Sequence, residues 1–282
     1  MNKPTIIITG ANGFIGTHLV EYFNAKSWKV RALVHHFPRC KLTGVDYIQY
    51  RIEEKPDERN FEAVDFLVHC AYLRFEQNRD ADSININGTK ALIELCRERN
   101  IKLVFLSSFS AHEKAESHYG KTKFASEKLF DISQDLILKA GLVIGEEGLF
   151  GRMRNQMNHS FFFPLVGDGF QPLQCIYIDD LVSIIDSALS NNISGLYHVA
   201  ESDVIFLKDF CVKMGKQLNK KIRFVPIPIS FLYAVCKLCE AFRIKIPVSS
   251  ENVLGLKKLT YYDTKDDLRK LGITLKKCTN LK

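Results

Sequence analysis

Along the first half of the chain, apolar residues come in short unbroken runs. Longer stretches, in which they recur every three or four positions, separate the runs. The runs Thr5 to Thr9, Lys29 to Val34, Asp46 to Gln49, Phe66 to Cys70, Lys102 to Leu106 and Leu136 to Leu138 have the length of buried strands. The segments Phe14 to Ala25, Ile84 to Arg99 and Tyr119 to Phe130 have the helical period. Strands that alternate with helices predict a parallel sheet covered on both faces, because each crossover back to the same edge carries a helix.

The alternation loosens after about residue 140, where Gly, Pro and Phe become frequent. Phe161-Phe-Phe-Pro164 and Gly167-Asp-Gly169 read as loop and turn material. Ile176 to Ile178 reads as a further strand, and Asp179 or Asp180 as the cap of a helix over Leu181 to Leu189. Helical patterns follow at Leu207 to Leu218, Ile229 to Phe242 and Ser250 to Leu259. The expected plan is a dinucleotide-binding Rossmann domain over 1–145 and about 174–195. A smaller, mostly C-terminal α/β cap for substrate takes about 146–173 and 196–282.

The 282 residues suffice for this plan, and composition alters it little: 46% hydrophobic, 25% charged, a formal charge of +7. No run reaches the roughly 18 apolar residues of a membrane span. The first residues run straight into the apolar Thr5 to Thr9 without a signal-peptide pattern. No block of basic residues suggests a nucleic-acid arm. A cytoplasmic protein is expected, its basic balance explained by scattered solvated lysines or by a nucleotide-type small-molecule ligand. Several of the eight cysteines sit inside apolar runs, as in Leu67-Val-His-Cys70-Ala, which suits buried free thiols in a reducing compartment. Cys236 and Cys239 form a CxxC without a second pair, and His69, His112, His118 and His159 fit no ligand spacing. No metal site is expected.

Chemistry enters with Thr5-Ile-Ile-Ile-Thr-Gly10-Ala-Asn-Gly13-Phe-Ile-Gly16. A strand, three glycines at GxxGxxG spacing and a helix in that order form a dinucleotide-binding turn. Gly10 permits the tight turn, Gly13 lets backbone approach a pyrophosphate, and Gly16 lets helix pack on strand. The free N–H groups of the helix start favour phosphate. The second strand ends in His35-His36, with Arg39 and Lys41 nearby. An acidic residue there would favour NAD; its absence among cations points to NADP, with His35, His36 or Arg39 near the 2′-phosphate. NAD is the alternative.

In mid-chain, Tyr119 and Lys123 stand four residues apart on one helical face, with Ser117 placed to cap that helix. A tyrosine with an ordinary pKa of about 10 becomes a proton carrier near neutrality when an ammonium favours its phenolate. Ser107 or Ser108, at the end of the strand Lys102 to Leu106, can hydrogen-bond the reacting oxygen.

With these motifs the sequence resembles the short-chain dehydrogenase/reductase superfamily, and more narrowly its extended and atypical NAD(P)-dependent epimerase/dehydratase members. Asn85 in Asn-Ile-Asn-Gly-Thr, Gly141-Leu-Val-Ile-Gly145 and Ile176-Tyr-Ile-Asp-Asp180-Leu extend the resemblance over most of the chain. It implies catalytic roles for Ser108, Tyr119 and Lys123, with Ser107 the alternative serine and Asn85 supporting the lysine through water. Implied cofactor contacts are Gly10, Asn12, Gly13, Phe14, Ile15, Gly16, His35, Arg39, Arg51, Ala71, Asn85, Tyr119 and Lys123. The implied substrate is a nucleotide sugar, and a homodimer is implied through the helices around Asn85 and Tyr119. Arg51 fills the slot where the family carries an acid beside adenine. Only eleven positions separate Ser108 from Tyr119, which tilts the reading from a long-loop 4-epimerase to a 4-keto reductase. Phe109-Ser110 replaces the Asp-Glu pair of dehydratases, and Leu173 replaces a phosphate-binding Arg, for which Arg152 or Arg154 are candidates. The rival expectation is a non-catalytic NAD(P)-binding sensor or assembly factor.

Overall fold

Thr5–Thr9 (β1), whose five residues are all buried, stands centrally in a seven-stranded sheet. The structure is a computed structural model and describes residues 3–75, 78–244, 246 and 248–278. Residues 1–2, 76–77, 245, 247 and 279–282, which the expected domain ranges include, lie outside the described residues.

The first half follows the predicted alternation: β1, α1 (Phe14–Ala25), β2 (Lys29–Val34), β3 (Val45–Gln49), β4 (Phe66–His69), α2 (Ala81–Glu98), β5 (Lys102–Ser108), α3 (His118–Glu127) and β6 (Leu136–Ala140). The second half brings β7 (Leu142–Ile144), α4 (Gly148–His159), β8 (Phe162–Val166), β9 (Pro172–Leu173), β10 (Cys175–Tyr177), α5 (Ile178–Ser190), β11 (Gly195–Val199), β12 (Ile205–Phe206), α6 (Leu207–Gln217), β13 (Arg223–Ile227), α7 (Ile229–Ala241), α8 (Ser250–Lys257) and α9 (Lys265–Lys270). The large sheet runs β11-β6-β5-β4-β1-β2-β3 and is parallel, a doubly wound Rossmann sheet. The order turns back on itself between β1 and β4, which pair in register from Ile6↔Phe66 to Thr9↔His69. Ligands of such sheets bind at the carboxyl ends of strands beside that reversal.

The chain divides into two compact units. The first holds residues 1–107, 122–139 and 181–197, and the second 108–121, 140–180 and 198–282. The first unit is built on apolar residues of β1, β4, β5 and α2, among them Ile7, Leu67, Leu92, Leu103 and Phe105. The second has its own core of Phe150, Met157, Leu165, Phe210, Met214 and Val253.

At the reversal, a polar chain is sealed into the first unit's core. The backbone N–H groups of Cys70 and Ala71 both donate to Thr9 Oγ1, at 3.2 Å. His69 Nδ1 lies 2.7 Å from that hydroxyl, and its Nε2 lies 3.1 Å from Thr89 Oγ1. Thr89 donates to the Asn85 carbonyl one turn back, at 2.7 Å. Those commitments set the imidazole: Thr9 donates to Nδ1, and Nε2–H donates to Thr89. The ring is 1% exposed. Burial, and secondarily the charge of Lys123, pushes its pKa down to about 3.

Two local expectations are corrected. Phe161 to Pro164 was expected as loop, yet β8 pairs in parallel with β13, Phe162↔Arg223 through Val166↔Ile227. Among the described residues that sheet has two strands, so Pro164 can turn its missing N–H to the unpaired edge and break no ladder bond. Asp179 and Asp180 do not cap a helix beginning at Leu181. They lie inside the first turn of α5, where carboxylates complement the helix dipole, and Asp180 accepts from the Lys276 backbone N–H at 2.8 Å. Among the described residues, no helix is long and apolar enough to cross a membrane.

The His69 relay makes stability depend on pH. The imidazole pKa lies below its ordinary value of 6.5, so between those values the unfolded chain binds a proton that the folded protein excludes. Stability is full above pH 6.5 and falls as pH drops toward 3, by up to about 1.4 kcal/mol per pH unit. Urea unfolding of wild type and His69→Gln between pH 7.5 and 4.5 reads this as a steeper decline for wild type. Parallel profiles would refute it.

Candidate active site

The Gly-rich turn joins β1 to α1 and puts different demands on its three glycines. Gly10 has φ +63°, and a Cβ there would stand 2.8 Å from the Ala71 nitrogen and 2.9 Å from its Cα. A Cβ at Gly16 would stand 2.2 Å from the Gly10 carbonyl oxygen. The fold itself requires both. Gly13 differs: its φ of −85° suits any residue, and a Cβ would meet only the Gly10 oxygen, at 3.2 Å. What Gly13 leaves open is approach from outside, onto a helix start without a side-chain cap. The first-turn N–H groups, those of Phe14, Ile15 and Gly16 included, have no acceptor within the helix. The turn therefore fits a pyrophosphate.

The end of β2 adjoins this turn. Ala11 N–H donates to the Leu33 carbonyl at 3.2 Å, and Asn12 Nδ2 donates to the His36 carbonyl at 3.1 Å. His35 and His36 are exposed with ring centroids 4.0 Å apart, and Arg39 is exposed beyond them. Arg51, after β3, is exposed and stands 3.9 Å from Glu54. Ala71 closes the turn from the β4 side through Thr9. Asn85 is spent on backbone: its Oδ1 accepts from Leu73 N–H at 2.8 Å, and its Nδ2 donates to the Leu73 and Ala81 carbonyls at 2.8 and 2.7 Å. The amide thus pins the segment that follows β4.

The adjacent serines have different surroundings. Ser107 is buried and its hydroxyl donates to Glu127, which also pairs with Lys139 at 3.0 Å in a buried ion pair. Burial, the largest influence, raises the Glu127 pKa. Ser108 is half-buried and accepts from the Ser110 N–H at 3.2 Å. Only Ser107 is thus tied into the buried ion pair.

Tyr119 and Lys123 occupy successive turns of α3. Ser117 Oγ accepts from Gly120 N–H at 3.1 Å, as a cap should. A Cβ at Gly120 would stand 2.3 Å from the Ser110 carbonyl oxygen, so the residue after Tyr119 seats the helix start directly on the turn that follows Ser108. Lys123 is 4% exposed. Its Nζ donates to the Leu106 carbonyl at 2.7 Å and lies 4.4 Å from the Phe105 ring centroid and 5.7 Å from that of Tyr72. Burial pushes its pKa down to about 8, against the opposing influence of Cys70 and Glu127, so the ammonium still predominates at neutral pH. The residues that hold the lysine, and the role of Ser107, escaped sequence reading because they sit in apolar runs or on a buried helix face without a motif of their own.

A doubly wound sheet with this turn at its reversal, and a Tyr-x-x-x-Lys helix after β5, defines a dinucleotide-dependent enzyme of the short-chain dehydrogenase/reductase type. The chain belongs to the NAD dependent epimerase/dehydratase family, whose model matches residues 6–200. It is 24% identical over 304 residues to the N-acetyl-alpha-D-glucosaminyl-diphospho-ditrans,octacis-undecaprenol 4-epimerase of Escherichia coli O157:H7, covering 93% of this chain and 88% of that one. It is 26% identical over 171 residues to the UDP-N-acetylglucosamine 4,6-dehydratase (inverting) of Campylobacter jejuni, about half the length of each (52% and 51%). Among solved structures, the Bordetella bronchiseptica enzyme WbmG in complex with NAD and UDP has the same fold, with a TM-score of 0.74, 14% identity, and coverage of 98% of this chain and 91% of that one.

The unequal glycines separate fold from binding. Gly13→Ala is expected to keep the wild-type thermal transition while weakening dinucleotide binding at least about tenfold, roughly 1.4 kcal/mol. Gly10→Ala is expected to lose about 2 kcal/mol or more of stability, from its left-handed φ and the encroachment on Ala71. Calorimetry and fluorescence titration read the pair; a Gly13→Ala protein that binds as wild type would remove the assignment.

Proposed function

We propose that the protein is an NAD(P)-dependent oxidoreductase or epimerase that moves hydride to or from a carbinol or keto carbon of a sugar carried on a diphosphate, in the first instance a nucleotide sugar. The observation that carries this reading is the desolvated Lys123 ammonium one helical turn after Tyr119. Residues that need only solvation belong on the surface; this lysine is instead held among a carbonyl and two aromatic rings. The names of the relatives support the substrate class. They share a sugar joined to a diphosphate, on a polyprenol in one case and on a nucleoside in the other.

In this reading, Ser108 donates a hydrogen bond to the reacting oxygen. Tyr119 takes its proton in oxidation and returns it in reduction. Lys123 favours the phenolate by its charge. When bound, NAD(P) supplies the nicotinamide that accepts and donates hydride. The Gly-rich turn and the start of α1 hold its phosphates. The first unit is the dinucleotide-binding part, and the substrate-binding cap is drawn mainly from the second. Phe109 and Ser110 stand where dehydratases of the family carry their acid pair, which favours reduction or epimerisation over dehydration. The compact turns between Ser108 and Tyr119 favour a 4-keto reductase over a long-loop epimerase. A cytoplasmic homodimer completes the proposal.

Incubation with UDP-sugars and their 4-keto forms tests the reaction. Net consumption of reduced cofactor identifies a reductase, and an inverted centre at constant cofactor identifies an epimerase. Tyr119→Phe is expected to lower kcat at least about a hundredfold, within the range of lost acid–base catalysis, with the dinucleotide still bound. Cofactor binding without turnover on any such sugar would return the protein to the sensor reading.

The cations after β2 add a preference for NADP. Arg39→Ala is expected to weaken NADPH binding about tenfold, roughly 1.4 kcal/mol, and to leave NADH binding unchanged. Equal affinity of wild type for the two would end that part of the proposal.

A further inference from the structure

Helix α7 turns one face into the core of its own unit. Leu232 and Cys236 are buried there, and Ile229 and Tyr233 pack against the same core. Cys236 Sγ lies 3.4 Å from the Val248 carbonyl oxygen. Glu240, the helix's single carboxylate, is turned to the start of α8, where it accepts from the Ser250 N–H and hydroxyl at 2.7 and 2.9 Å. On the outward arc stand Phe231, Ala234, Val235 and Leu238, continued by Phe242, all exposed. Their spacing of three, four and seven residues makes one stripe. Phe231 is 63% exposed, Leu238 60% and Phe242 70%. An outward helix face normally carries charge; this stripe has none, and Lys237 stands on its flank over the Tyr233 ring.

The charge of the sequence that carries the stripe is one-sided. Residues 210–249 hold eight Lys and Arg against Glu240 alone, an excess as large as the +7 of the entire chain. Lys216, Lys221, Arg223 and Arg243 are exposed. Arg223 lies in register with Phe162 across β8 and β13, and Phe161 and Phe162 are themselves exposed, which repeats the pairing of bare aromatic with base. Two copies meeting through α7 would bring two such cationic segments together, so self-association is opposed by charge. An anionic surface with an apolar interior satisfies both features at once.

We infer that α7 docks this protein on a membrane carrying anionic lipids. Phe231, Leu238 and Phe242 enter the boundary between headgroups and acyl chains, and the exposed cations Lys216, Lys221, Arg223 and Arg243 face the lipid phosphates. The inference goes beyond the proposed reaction and holds whichever sugar is the substrate.

Flotation of the full chain with vesicles of phosphatidylcholine, with and without phosphatidylglycerol, tests it. Partitioning is expected to be about tenfold or more stronger on the anionic vesicles, to weaken with salt, and to fall about tenfold in Phe231→Ser/Leu238→Ser, whose exposed positions leave the thermal transition in place. Lys220→Glu/Lys221→Glu, which leaves α7 untouched, is expected to weaken anionic binding alone and serves should the first variant misfold. Equal binding to both vesicle types, or no loss in either variant, overturns the inference. So does a concentration-dependent dimer that Phe231→Ser/Leu238→Ser dissociates, because the stripe would then be covered by a second copy.

Discussion

The first unit depends on how two adjacent parallel strands end. β1 and β4 finish side by side where the strand order reverses, and their last residues, Thr9 and His69, are polar and buried. Unpaired, each would cost a hydrogen bond in a medium with no water to replace it. The relay from the Cys70 and Ala71 N–H groups through Thr9 and His69 to Thr89 and Asn85 leaves neither unsatisfied. It works only with a neutral imidazole in one tautomer. It also fixes the distance between β1, the segment after β4, and α2. Gly10 can then lie against Ala71, and Asn85 can clamp Leu73. The Gly-rich turn thus inherits its position from a buried histidine.

The machinery after β5 follows a similar logic with a different device. Gly120 lets the start of α3 sit on the Ser110 carbonyl, and the Tyr119 N–H donates to the Glu251 carboxylate at 3.3 Å, so backbone packing and a side chain place Tyr119 together. Lys123 is positioned by desolvation: a carbonyl and ring faces are what remain for its ammonium. A residue held so tightly loses little rotamer freedom when a ligand arrives, and its charge acts through a medium that screens it poorly.

Most of the large sheet was legible because a parallel strand buried on both faces must be an unbroken apolar run. The Gly-rich turn was legible because two of its glycines answer to backbone geometry and the third leaves the start of α1 open. Legibility failed where pairing was local or one-sided. β8 carries a proline that the rules of a central strand forbid and those of a two-stranded edge allow. β11, seventh in the sheet, is only partly buried along most of its length, so its sequence lacks the apolar run. Asp179 and Asp180 look like caps because a first-turn carboxylate and a capping one share a composition. The His69 relay was hidden for another reason: its members lie far apart in sequence, and each taken singly resembles an ordinary core residue.

Ser107 and Ser108 are neighbours on one strand, and the pleat sends neighbours to opposite faces. One hydroxyl is tied to Glu127 and the other is left to the end of the strand. Chemically the two are identical; parity alone distinguishes them. A deletion of a single codon upstream of Ser107 within β5 would therefore move Ser108 to the sealed position and put Phe109 in its place at the strand end. The turns at 109–117 carry no such parity. This short strand thus holds a reading frame of its own, and descendants of this gene should vary in length after Ser108 far more readily than before it.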